Sequence, residues 1–140
     1  MGVKWYVKLA LEWFEKRIQE LEDLGVELAD AMYKAWIEAL EMFNVWALEM
    51  TYDQVYRLIA ALKTHWGDAR LDAYMTPLLS FAAPSEVELP FDEEGYSAFK
   101  MCIDELLGEL EGTLRERALQ LSQLIETAMR LGSPIIIRCY

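Results

Sequence analysis

The sequence predicts an all-α, single-domain bundle of four or five helices, residues 1–140, with a short extended segment at its C-terminus. Three observations carry that prediction. Between Val26 and Trp66 the chain runs for 41 residues without Gly or Pro and holds three of the five tryptophans, Trp36, Trp46 and Trp66. In that run Glu27, Asp30, Lys34, Glu38 and Glu41 recur every three or four residues, a narrow polar stripe on a helix of 3.6-residue period. Finally, 140 residues is a single-domain length, at which a chain buries roughly 68–70% of its unfolded surface without help from metals or disulfides.

Helix one is expected from about Val3 to Leu24, because Val7, Leu11, Phe14, Ile18 and Leu21 alternate four- and three-residue steps, with Lys8, Glu12, Glu15, Gln19 and Glu22 opposite. Gly25 suits a left-handed stop with Val26 packing back on Leu21, so a tight helical hairpin is predicted rather than one rod. Helix two should follow from about Val26 to Glu49. Its seam of Ala29, Met32, Trp36, Ala39, Phe43, Trp46 and Met50, flanked by Tyr33, Ile37 and Leu40, makes it the central helix of the bundle. Thr51-Tyr52-Asp53-Gln54 has the pattern of a capping box and should open a third helix running to Trp66. Gly67 ends it; short helical pieces near Ala69 to Met75 and after Pro77 precede Ser85 to Leu89, an extended linker bracketed by Pro84 and Pro90. From Asp92 a last helix should reach Leu131, with a bend near Gly108 and Gly112, before Gly132-Ser133-Pro134 stops it. Ile135 to Tyr140 is β-branched and apolar and reads as a strand. Its partner is either Glu86 to Leu89 or, as the favoured reading, the same tail of a second subunit.

Function is less legible. The net charge is −11, and from Glu86 to Glu116 ten acidic residues face two basic ones, a local net of −8. Direct nucleic-acid binding is therefore disfavoured, since such binding rests chiefly on neutralisation of phosphates by Lys and Arg. A protein partner with a basic surface fits instead. The hydrophobic content of 54%, above the usual ~45–50%, suggests that apolar surface ends in an interface and points to a homo-oligomer, in the simplest case a homodimer. No stretch has the roughly 20 apolar residues of a membrane span, and the N-terminus lacks a cleavage signal, so a soluble cytoplasmic protein is expected.

Catalytic chemistry finds little support. The single histidine, His65, has Leu62 three residues before it, which excludes a Glu-x-x-His di-iron bundle. Glu12/Glu15 and Glu27/Asp30 resemble magnesium-binding helical pairs, but a turn at Gly25 misaligns them by roughly 12 Å. Cys102 and Cys139 have no metal or disulfide spacing, and no phosphate loop or nucleophile elbow occurs. The sequence thus predicts a non-enzymatic adaptor or inhibitor with no cofactor or metal. Its partner-binding residues would be Glu86, Glu88, Asp92, Glu93, Glu94, Asp104, Glu105, Glu109 and Glu111, with apolar Leu78, Leu79 and Phe81 and the tail residues Ile135, Ile136 and Ile137. The alternative is a metal-dependent helical enzyme, or an apolar-ligand-binding protein, using carboxylates of helices one and two.

Overall fold

The computed structural model describes residues 2–65 and 85–140 and corrects the predicted class. The chain is not all-α: four strands, β1 (Gly2–Val7), β2 (Ala47–Thr51), β3 (Ser85–Leu89) and β4 (Ile135–Cys139), form one antiparallel sheet in the order β2-β1-β4-β3. The described helices are α1 (Lys8–Asp23), α2 (Leu28–Phe43), α3 (Tyr52–His65), α4 (Glu93–Leu106) and α5 (Gly112–Leu131).

The first strand occupies residues assigned above to helix one. Val3, Trp5 and Val7 are buried and Lys4 and Tyr6 half-buried, the two-residue period of a sheet with one covered face. Val7 fits both that period and the helical one, so periodicity alone misplaces the boundary. Likewise helix two does not reach Glu49. It stops at Phe43, Asn44 takes a positive φ of 64°, and Trp46, Leu48 and Met50 then alternate inward as the start and body of β2. The expected single last helix is two, α4 and α5, broken at residues 107–111.

Other local signals hold. The Thr51 hydroxyl accepts from the Gln54 amide at 3.1 Å while the Gln54 side chain accepts from the Thr51 amide at 3.0 Å. Gly25, at φ 91°, closes α1: its amide donates to Glu22 and that of Val26 to Leu21, so the tight hairpin stands. At the start of α1, Val7 offers no cap. The buried Ser133 supplies one from the far end of the chain, its Oγ accepting from the Leu9 amide at 3.0 Å, while the Lys8 amide donates to the Pro134 carbonyl.

The C-terminal strand is a central one. Ile135, Ile136 and Ile137 pair with β1 on one side and β3 on the other, and all three are buried. The predicted pairing across subunits is therefore replaced by pairing within the chain, and these residues are core rather than partner-binding surface. Helices α3, α4 and α5 cover the face bearing Val3, Trp5, Met50 and Ile137. The hairpin α1–α2 joins this core at its base through Ala10, Leu11 and Ala39, and has a small core of its own farther out, Leu21, Ala31 and Ala35 with Ile18 and Val26.

Candidate functional site

Helix α2 packs on α1 through small residues. Ala31, Ala35 and Ala39, spaced four apart, are fully buried, which lets the backbones approach closely. Met32, Tyr33, Trp36, Ile37 and Leu40 then fall on the opposite side, while Leu28 and Met42 stand at the two ends of the alanine row. Leu28, Met32, Tyr33, Trp36, Ile37, Leu40 and Met42 are all exposed, Tyr33 at 71% and Leu28 at 54%. Helix two was expected to be central, with Trp36 and Phe43 in the core; instead α2 is peripheral, Trp36 is 38% exposed, and Phe43 is half-buried edge-on against Trp13. The alanine stripe was the signal: the smallest side chains mark the packed face, and the large ones mark a free one.

The hairpin that carries that face is acidic. From Lys8 to Phe43 nine acidic residues stand against four basic ones, a net of −5. Arg17 on α1 binds Glu38 on α2, Nε to Oε2 at 2.8 Å, and its guanidinium holds the Glu38 carboxyl below the usual range.

A second feature runs along β2, which has no strand on its outer side among the described residues. Three adjoining grooves, of about 530, 500 and 250 Å³, follow this edge. The largest lies between Trp36 and Leu40 of α2, the β2 residues Ala47 and Glu49, and Arg117 and Gln120 of α5, with Lys4 and Tyr6 beyond. Leu40 and Val45 are shared with the second groove, which ends at Arg130; Glu49 and Arg117 are shared with the third, which ends at Gln54. Together they make one trough beside α5.

The predicted acidic surface is divided. Glu86 and Glu88 lie on β3 in ion pairs, with Arg138 at 2.6 Å and with Lys8 at 2.7 Å. Asp92, Glu93 and Glu94 stand exposed at the start of α4, where the helix dipole favours them. Asp104 binds Lys100 at 2.8 Å and accepts from the Ser122 hydroxyl. Glu105, Glu109 and Glu111 are exposed near the opposite end of α4, a 14-residue helix about 21 Å long. Leu78, Leu79 and Phe81 lie outside the described residues.

Glu12, Glu15, Glu27 and Asp30 are exposed, and among the described residues no group of three His, Cys, Asp or Glu is placed to hold a metal ion. The cavity inside the core, between Trp5, Met50, Leu58 and Phe99, has about 10 Å³, the lower limit for a single water. Both cysteines are buried and neither is in a disulfide. No helix among the described residues is long and apolar enough to cross a membrane.

The four-stranded sheet, the α1–α2 hairpin and the trough beside α5 belong to an α+β chain. Comparison with family models, with curated proteins and with solved structures gives no match.

Proposed function

We propose that this chain is a non-enzymatic adaptor or inhibitor that docks on another protein through the outer face of α2. The observation that carries this reading is the five large apolar side chains, Met32, Tyr33, Trp36, Ile37 and Leu40, exposed on the side of one 16-residue helix away from its alanine row. Monomeric soluble proteins rarely leave such a patch in water unless it is a contact surface. The net −5 of the surrounding hairpin specifies the partner's chemistry: an apolar patch framed by Lys and Arg, so that the rims attract while the centres bury. The divided carboxylates from Asp92 to Glu111 add a general negative field that speeds such an encounter. Unbridged, buried cysteines fit a reducing, cytoplasmic setting.

Self-association is the weaker use of the same face. The tail that favoured a two-fold contact is used inside the chain, and a second copy on α2 would bring two rims of net −5 together.

The test is affinity capture with the wild-type chain and with a Tyr33→Asp/Ile37→Asp variant, both folded by circular dichroism, followed by crosslinking from Lys34. A protein held by the wild type, crosslinked through a basic segment and lost from the variant, is the expected result. An unchanged set of captured proteins, or light scattering that shows a dimer abolished by the variant, would replace this reading.

A further inference from the structure

The free edge of β2 presents backbone groups in a known phase. The Val7 amide donates to the Trp46 carbonyl at 2.9 Å, so residues 46, 48 and 50 turn their amides and carbonyls toward β1. Residues 47, 49 and 51 turn theirs outward. The Thr51 amide is taken by the Gln54 side chain at 3.0 Å, leaving the amides of Ala47 and Glu49 to face the trough. The opposite edge of the sheet is blunted: β3 alternates Glu86 and Glu88 outward and is bracketed in sequence by Pro84 and Pro90, a common defence against added strands. At the edge of β2 there is no proline, and Glu49 is the one carboxylate in its span.

The walls add chemistry to this edge. Between Arg117 and Arg130 on α5 the trough runs about 20 Å, the length of roughly six extended residues. One end of the largest groove is apolar, formed by Leu40 and Val45 with Trp36; toward its other end, at Glu49, lie the cations Lys4 and Arg117. Lys4, Arg117 and Arg130 against Glu49 and Glu126 make its lining net +1 in a chain of net −11.

We infer that β2 accepts an extended segment of a partner protein as a fifth strand, one that carries a carboxylate for Lys4 and Arg117 and a large apolar side chain for the Trp36 end. Main-chain hydrogen bonds at Ala47 and Glu49 hold such a segment, and the two ends of the largest groove select its side chains and direction. A second copy of β2 fits poorly. Antiparallel pairing of two such edges sets the Glu49 carboxylates on one face of neighbouring strands, a repulsive arrangement.

The trough shares Trp36 and Leu40 with the α2 docking face, and the experiment keeps the two apart through Tyr33 and Ile37, which line no part of the trough. A capped, fluorescein-labelled hexapeptide, Thr-Asp-Thr-Leu-Val-Thr, is titrated with the full chain and followed by anisotropy. Three comparisons accompany it: the peptide with lysine for aspartate, the parent peptide N-methylated at alternate amides, and the protein variant Arg117→Glu. The parent peptide should bind, the lysine peptide about fivefold more weakly, and the methylated one not at all. Arg117→Glu should invert the order of the first two, and hydrogen exchange at Ala47 and Glu49 should slow when peptide is bound. Tyr33→Asp/Ile37→Asp should leave peptide affinity unchanged, so that loss of either reading is separable from loss of the other. The inference is overturned by no binding of the parent peptide, by equal binding of the methylated one, by unchanged exchange at both amides at saturation, or by a dimer that already protects them.

Discussion

Trp46 is where the helical arm meets the sheet. It is fully buried, its ring lies 5.0 Å from Trp36, 5.1 Å from Phe14 and 6.2 Å from Tyr6 between centroids, and its carbonyl accepts from Val7. Its indole nitrogen and that of Trp5 are buried without a hydrogen-bond partner among the described residues, and packing against neighbouring rings and side chains holds both. Trp46→Ala is predicted to cost roughly 3–5 kcal/mol in urea unfolding, the range for a buried aromatic. For Trp36→Ala, whose ring is 38% exposed, roughly 1–2 kcal/mol is expected. Equal losses in the two variants would mean that α2 lies in the core after all. In sequence the two tryptophans are ten apart and share one helical seam, so periodicity alone treats them alike. Asn44 separates them: with φ 64° and ψ −135°, outside both helical regions, it ends the helix in a run without glycine or proline.

The arm formed by α1 and α2 is held outside the main core by alanine packing and by the Arg17–Glu38 pair, and the pair gives it a pH dependence. Glu38 titrates below its ordinary 4.5 in the folded chain, chiefly through the hydrogen bond from Arg17. Its contribution is therefore complete above about pH 4.5 and fades as pH falls through the lower folded value. Glu38→Gln should melt below the wild type at pH 7, with the gap closing toward pH 3; a gap independent of pH would show that the pair does not hold the arm. Helix stops at Gly25 and Gly132, the capping box at Thr51 and the extended nature of residues 85–89 and 135–139 were all legible, because each is signalled by residue types within a few positions: glycine, the Thr-x-x-Gln spacing, flanking prolines and a run of isoleucines. Strands β1 and β2 were not, because Val3, Trp5 and Val7 and then Trp46, Leu48 and Met50 adjoin helical residues that extend the same apolar pattern. Six or seven residues cannot settle such a tie; pairing partners distant in sequence do, and they are invisible to periodicity. For the candidate site, net acidity was legible as a property of the chain, whereas the exposed face of α2 and the free edge of β2 depend on what packs where.

The architecture repeats itself without a sequence repeat. β1-α1-α2-β2 and β3-α4-α5-β4 are each a strand, two helices and an adjacent antiparallel strand, and the two units lie side by side in the order β2-β1-β4-β3. The seam between them is the pairing of β1 with β4, the N-terminal strand with the C-terminal one, continued by two hydrogen bonds between Gly2 and Tyr140 at 3.0 and 3.1 Å. A central strand contributes on both edges, so removal of Ile135 to Tyr140 strips β3 of its one sheet neighbour among the described residues and exposes the inner faces of Val3, Trp5 and Val7. The buried amide of Ile135 also donates to the Tyr96 hydroxyl, which in turn donates to the Leu89 carbonyl, so the deletion unties α4 from the sheet as well. The truncated chain is therefore predicted to lose its cooperative thermal transition, not merely to change its assembly. Folding should also be slow for a chain of this size, since the seam joins residues 128 to 136 positions apart. Circular dichroism melting of the truncated chain checks the main point: a cooperative transition within a few degrees of the wild type would mean that the two units stand without the strand between them.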